Sequence, residues 1–337
     1  MASGATLKRR KLSYAKYGYI FILPFFLVYA VFQLYPLLYT FLISTERAVG
    51  KSKTDMEYVG MQNFSDILIG SGGRTAASLH AAFIQSFQNT LIIWIGNFIP
   101  QIILSLLLAV WFTDASLKIK GKGFFKVVMY MPNIITAASV SALFLSLFNQ
   151  TDVGPVNSVL LSLGIVDNPV KFIDNATIKR GLICFIQCWM WFGNTMILLM
   201  SGILGINPSL FEAAEIDGAN STQTFFRITV PLLQPIFVFV VVTSMIGGLQ
   251  MFDIPWLFNL GTTRDPDTKT IAVFIFERYS GQLKNYGISA AASILLFIVT
   301  GILGLIIFYL NRDKDEAALN KFRKSQAKNS LKGGLGI

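Results

Sequence analysis

Charge is what this chain lacks. Only 14% of its 337 residues are Asp, Glu, Lys or Arg, where a soluble domain carries about 25%. The deficit is concentrated. Tyr17–Thr45, Thr75–Thr113, Val127–Thr151, Gly181–Phe211, Ile228–Phe252 and Asn285–Asn311 contain none of the four. Histidine occurs once, at His80, and cysteine twice, at Cys184 and Cys188. One histidine cannot build a metal site, and two cysteines one helical turn apart exclude a disulfide framework. No G-x-x-x-x-G-K-[ST] phosphate loop occurs, and the glycines at 70–73 lack the Lys-Ser/Thr pair. No catalytic triad or paired-carboxylate site suggests itself, so the expectation is a non-catalytic chain with no cofactor.

What is present is apolar length. A spanning helix needs about 20 mainly apolar residues, and each of the six windows supplies them. None alternates as β-barrel strands would. The fold class expected is an all-α membrane protein with six transmembrane helices over 17–311. A basic arm (1–16) and a basic tail (312–337) flank them. A seventh uncharged window, Val153–Val166, is broken by Gly154, Pro155 and Asn157 and is read as interfacial or re-entrant. The first window is too long for a signal-peptide core of about 7–15 residues, so it is expected to be a retained span.

Basic residues mark the cytoplasmic side of a membrane protein. Lys8, Arg9, Arg10 and Lys11 open the chain. Lys118, Lys120, Lys122 and Lys126 follow the second window. Arg312, Lys314, Lys321, Arg323 and Lys324 follow the sixth. Both termini are therefore expected in the cytoplasm. The net charge of +10 is a topology signal with room for anionic membrane lipid, and no nucleic-acid partner is expected.

On this topology the segment 207–231, NPSLFEAAEIDGANSTQTFFRITVP, is a cytoplasmic connection between the fourth and fifth spans. Asn207 suits a helix N-cap and Pro208 the first helical position. Gly218 can end that helix in a left-handed conformation. Ser221 or Thr222 can cap a second short helix bearing Phe225 and Phe226. Such an element offers itself to a groove on another protein.

Within that segment, Glu212-Ala213-Ala214, three residues, Gly218, nine residues, Ile228, one residue and Val230-Pro231 resemble the EAA motif of binding-protein-dependent ABC importer permeases. Only the motif's Leu is replaced, by Val230. YIFILPFFLVYAVFQLYPLLYTFLIS, VGMQNFSDIL, GPVNSVLLSLGI and NYGISAAASILLFIVTGILG are similar to segments of the carbohydrate, MalF-like members. FNLGTTRDPD departs from a Gly-Gly-Pro turn common there. The resemblance implies a permease subunit of a bacterial or archaeal cytoplasmic membrane. It also implies a second homologous permease, an ABC ATPase dimer and an extracellular solute-binding lipoprotein as partners, and a sugar as cargo. Glycerol-phosphate permeases are a near alternative. By the same resemblance, Glu212, Ala213, Ala214, Asp217, Gly218 and Phe225 would form a coupling helix in the ATPase cleft.

Polar groups inside spans tend to face a cavity or another helix. Gln187, Trp191 and Asn194 share one face of the fourth span. Ser244, Gly248 and Met251 repeat that spacing in the fifth, with Gln250 and Asp253 nearby. Both sets are candidate substrate residues, and interhelical packing remains the other reading. Asn97, Gln101 and Asn133 are expected to tie helices together. No Lys or Arg lies within the windows, which favours a neutral, hydroxyl-rich solute over an anion. It also disfavours an ion-coupled secondary transporter, which needs ionisable groups at mid-membrane.

Overall fold

The computed structural model describes residues 15–48, 56–114, 117–259, 266–280 and 285–310. The terminal arm and tail expected from the sequence lie almost wholly outside the described residues.

The first window forms α1 (Ala15–Tyr29) and α2 (Tyr35–Ser44), joined by a π-helical turn over Ala30–Leu34. A short hairpin follows, β1 (Glu46–Ala48) antiparallel to β2 (Met56–Tyr58), with Glu46 opposite Tyr58. It is a small addition to the all-helical expectation. Next come α3 (Gln62–Leu68) and the 40-residue α4 (Arg74–Thr113).

The third window departs from a single straight span. It folds as α5 (Lys122–Tyr130), a 3₁₀ turn over Met131–Ile134, and α6 (Ala137–Leu147). The two arms are bent by 93°. The cause is local. Pro132 supplies no N–H, Ile135 and Thr136 are extended, and Thr136 caps the new helix through its side chain onto Ser139 N. Among the described residues there are thus five helices long and apolar enough to span, or six if the bent pair is one span.

The seventh window folds as α7 (Pro155–Ser162), an eight-residue helix. Asn157 pins it: its amide donates to Asn149 O at 3.0 Å and Val170 O at 3.1 Å and accepts from Val170 N at 2.9 Å. Then follow α8 (Ala176–Leu204), α9 (Pro208–Ile216), α10 (Ser221–Thr224), α11 (Val230–Leu232), α12 (Gln234–Leu249), α13 (Asp253–Asn259), α14 (Ile271–Ser280) and α15 (Tyr286–Leu310). The fourth span begins before its uncharged window and includes Lys179 and Arg180. Lys179 is fully buried and donates to Asn259 Oδ1 at 2.8 Å. Arg180 donates to Asp267 O and Asn89 Oδ1. Charge is tolerated there because each head meets an oxygen acceptor. The fifth span instead starts at Gln234, inside its uncharged window, and carries on past a break into α13, so its second arm opens on Asp253.

α4 and α8 run parallel at the centre. Cys184 Sγ lies near Ile93 O, Gln101 bonds Thr195, and Ser105 bonds Phe192 O. α12 runs the other way, with Ile236 against Gly202 and Ser244 against Trp94. The C-terminal end of α4 and the segment 205–233 therefore lie at one end of the bundle. Apolar clusters fill the seams, one built on Phe83, Met245, Phe274 and Ala291, another on Ile93, Ile186, Val140 and Phe258, a third on Leu108, Met196, Leu199 and Leu233. Along α1 and α2 only Ser44, beside the hairpin, is buried among the described residues, as suits a helix whose cover is lipid or another membrane helix.

Near the hairpin, one buried side chain closes a network. Asn63, with no exposed surface, donates to Ser44 O at 2.8 Å and Glu46 O at 2.9 Å. Its oxygen accepts from Arg47 at 2.8 Å, and Arg47 also pairs with Asp66 at 2.6 Å. Asn63→Leu strands two carbonyls and weakens the seat of the guanidinium. The expected cost is about 2 kcal/mol, read as a lower melting temperature in detergent micelles.

Candidate functional site

A cavity of about 640 Å³ opens between α4, α8 and α12 and reaches the start of α13. All six candidate substrate residues border it: Gln187, Trp191 and Asn194 from α8, Ser244 and Gly248 from α12, and Met251 just beyond. They do not stand alike. Gln187 is 8% exposed, and among the described residues its amide has no hydrogen-bond partner, nor has that of half-buried Asn194. Trp191 is 47% exposed. Ser244 is already engaged, its Oγ accepting from Trp94 Nε1 at 3.2 Å. Gly248 seats the same indole: a Cβ there would lie 2.1 Å from Trp94 Cδ1. Met251 is 9% exposed and packs in the cluster with Ile186 and Ile254. Gln250 and Asp253 also border the cavity. Asp253 is its one charged lining residue among those described, and no Lys or Arg lines it.

Three side chains expected to tie helices behave differently from one another. Asn133 does bridge, donating to Met190 O at 3.3 Å, and Gln101 bridges to Thr195 Oγ1 at 2.8 Å. Asn97 instead donates to Ile93 O of its own helix at 2.7 Å. Asn97 and Gln101 both border the cavity, as Trp94 does. This wall was missed. α4 is apolar nearly all round, so its sequence does not announce which face meets the cavity. Trp189 and Trp256 pack, against Phe144 and against Phe252 and Phe276. His80 is locally bonded, Nδ1 donating to Ile67 O at 2.9 Å. Cys184 and Cys188 are free thiols, both half-buried.

The acidic connection forms a second site at the end of α8. Asn207 Oδ1 accepts from Ser209 N at 3.1 Å, and Pro208 opens α9. Gly218 ends it at φ +74°, with Gly218 N bonded to Glu215 O and Ala219 N to Ala214 O. Those two bonds are a Schellman turn. Capping of α10 falls one residue earlier than Ser221. Asn220 Oδ1 accepts from Gln223 N at 2.8 Å, and Gln223 Oε1 accepts from Asn220 N at 2.9 Å. This reciprocal box needs Gln at the third helical position, which only Asn220 has as its partner. Glu212, Ala213, Asp217 and Gly218 are exposed, Ala214 is buried, and Phe225 is half-buried against Phe226 at 4.8 Å. Phe225–Thr229 form a π-helical turn, a form frequent at functional sites.

The chain is 29% identical to the lactose transport system permease protein LacF of Rhizobium radiobacter over 313 residues, covering 93% of this chain and 98% of that one. It is 30% identical to the xylose/arabinose import permease protein XacH of Haloferax volcanii, covering 77% and 79%. This chain belongs to the sugar ABC-transporter permease family. The trehalose/maltose permease protein MalF of Thermococcus litoralis is a further relative, 29% identical over 89% and 95%. No family model matches the chain. The permease fold also matches the crystal structure of a bacterial alginate ABC transporter in complex with alginate pentasaccharide-bound periplasmic protein. There the TM-score is 0.74 at 22% identity, over 90% of this chain and 98% of that one, a likeness of fold. α8 carries Gln187, Trp191 and Asn194 at the cavity and leads into α9.

Proposed function

We propose that this permease forms half the membrane path of an ATP-driven importer that carries a neutral oligosaccharide. The observation that carries the reading is the cavity: among the described residues it has one buried and one half-buried amide without protein partners, an exposed indole and no lining cation. Planar amides pair with sugar hydroxyls, and an aromatic ring covers the apolar face of a pyranose. An anionic solute would call for Arg or Lys, and Asp253 would repel it. Gln187, Trp191 and Asn194 make the first wall. On α12, Ser244 and Gly248 act through the indole they hold, and Met251 supports the wall from behind.

The bent pair α5–α6 counts as one span, giving six. The end bearing Lys118, Lys120, Lys122 and Lys126 is cytoplasmic, by the positive-inside rule. The connection 207–231 leaves the bundle at that same end, which supports its docking to a cytoplasmic ATPase dimer. Glu212, Ala213, Asp217 and Gly218 offer the exposed contact surface, with Ala214 and Phe225 packing behind it. ATP is hydrolysed by those partners. A second permease completes the path, and an extracellular solute-binding protein delivers the sugar.

Uptake in cells carrying the complete importer tests this. Radiolabelled lactose, maltose, trehalose and arabinotriose are compared with glucuronate and glycerol 3-phosphate. At least one neutral sugar is expected to enter in an ATP-dependent way, at ten times the rate of either anion or more. Uptake of the anions alone overturns the reading.

A further inference from the structure

The six candidate residues of α8 and the α12 arm leave one side of the cavity unaccounted for. That side is α4, where Trp94, Asn97 and Gln101 stand at i, i+3 and i+7 and all border the cavity. We propose that α4 supplies a third sugar-binding wall, in which the amide oxygens of Asn97 and Gln101 accept hydrogen bonds from sugar hydroxyls beside the Trp94 indole. The proposal rests on the neutral-sugar reading above and deepens it.

The polar accounting comes first. Asn97 and Gln101 are 5% and 6% exposed. Each spends an N–H on the protein, Asn97 on Ile93 O and Gln101 on Thr195 Oγ1. Among the described residues neither oxygen accepts a hydrogen bond, and neither is sealed from the cavity. A buried amide oxygen is left unpaired only at a cost, unless water or a ligand meets it. Both amides are also locked. Their donor bonds fix the side chains, so the oxygens are held in place before any sugar arrives, and less entropy is lost on binding.

The indole is fixed more firmly still. Its N–H bonds Ser244 Oγ, its five-membered edge fills the notch left by Gly248, and it stacks on Phe98 at 6.0 Å and 21°. A rigid, half-buried aromatic bordering a polar cavity is suited to an apolar sugar face. On this arrangement Gln187 and Asn194 face the sugar from α8 with both donors and acceptors, while α4 adds the two fixed acceptors. A ligand rich in hydroxyl donors fits this wall better than one rich in acceptors.

Two arms test it in the complete importer. In the first, uptake of whichever of lactose, maltose, trehalose and arabinotriose the wild type carries is measured in Asn97→Leu, Gln101→Met and Thr195→Val. Removing one hydrogen bond to the sugar is expected to slow uptake about fivefold in each of the first two. Thr195→Val, at a residue that itself borders the cavity, removes the helix tie and unlocks the Gln101 amide but keeps its oxygen, so uptake falls about twofold, less than in Gln101→Met, even where its melting temperature falls as far. Equal losses of uptake in Gln101→Met and Thr195→Val make Gln101 a helix tie and overturn the proposal. In the second arm, Asn97→Cys is placed in a Cys184→Ala, Cys188→Ala background and treated with a charged methanethiosulfonate. Modification slowed at least threefold by the carried sugar is expected. An unreactive or unprotected thiol overturns the α4 wall while leaving the sugar reading intact. A wild type that carries none of the four sugars overturns that reading and this proposal together.

Discussion

Glu212→Lys is expected to reduce sugar uptake at least thirtyfold while the permease still folds and inserts. Glu212 is exposed on α9, and no hydrogen bond or ion pair engages it among the described residues. The helix keeps its cap at Asn207, its Schellman turn at Gly218 and its buried Ala214 whether position 212 is acidic or basic. Reversal therefore costs the isolated chain little. In a cleft that accepts a carboxylate, however, it replaces a paired charge with a repelled one, a penalty of about 2–5 kcal/mol. The measurement is radiolabelled uptake, normalised to the permease found in the membrane, with ATP hydrolysis followed in parallel. Gly218 separates shape from charge. Its φ of +74° admits Asn far better than Val, and a Cβ there meets nothing within 4 Å. Gly218→Asn should keep most uptake and Gly218→Val should not. Normal uptake by Glu212→Lys would remove the docking role from this segment.

The helix–turn–helix of 207–231 was legible because its signals are local. Asn207, Pro208 and Gly218 each act within a turn of their own position, and each does in the structure what its chemistry requires. Capping of α10 was misplaced by one residue because Asn220, Ser221 and Thr222 are all competent caps. The reciprocal partner Gln223 decides among them. Span ends were less legible. Windows free of charge find apolar length, but they stop at the first charged residue even where tertiary partners take it in. Lys179 and Arg180 are carried into α8 by Asn259, Asn89 and Asp267, residues remote in sequence. The 93° bend was hidden for a different reason. Val127–Thr151 is uncharged throughout, and direction changes at Pro132 and Thr136 with no charge to mark it. Likewise the α4 wall depends on which face of an almost wholly apolar helix meets α8 and α12, and that is settled by packing.

The two sites are joined by short, stiff paths. From Asn194 to Asn207 the chain is α8 followed by a tight turn at Gly205–Ile206, about 20 Å at 1.5 Å per residue. From Thr229 the route runs through Leu233, fully buried against α8, into α12 and the Trp94 seat at Ser244 and Gly248. If α9 and α10 dock as proposed, their displacement would reach two walls of the cavity through these helices. The α4 side of the cavity is tied to α8 by Gln101 and Ser105. Packed helices of this kind shift as units between discrete arrangements.

Gly193→Ala tests how tightly that central helix is held, and the expected loss is about 3 kcal/mol, with little monodisperse protein recovered from Gly193→Val. A Cβ at Gly193 would lie 2.1 Å from Met129 O, 2.7 Å from Met129 C and 2.9 Å from Tyr130 Cα. These are backbone atoms of α5, so no rotamer change relieves the clash. Retreat on the other side is blocked: Ser105 Oγ bonds Phe192 O at 2.8 Å, and Gln101 bonds Thr195 at 2.8 Å. Either α5 lifts from α8, exposing Met129 and the Asn133–Met190 bond, or α8 parts from α4. Both lie at the upper end of overpacking penalties. Gly181 provides the opposite sign on the same helix. Nothing lies within 4 Å of a Cβ there, and Ala is the better helix former by about 1 kcal/mol, so Gly181→Ala should raise the melting temperature. The two variants are compared by thermal unfolding in one detergent. A Gly193→Ala protein that melts with the wild type would mean that α5 has room to move away from α8.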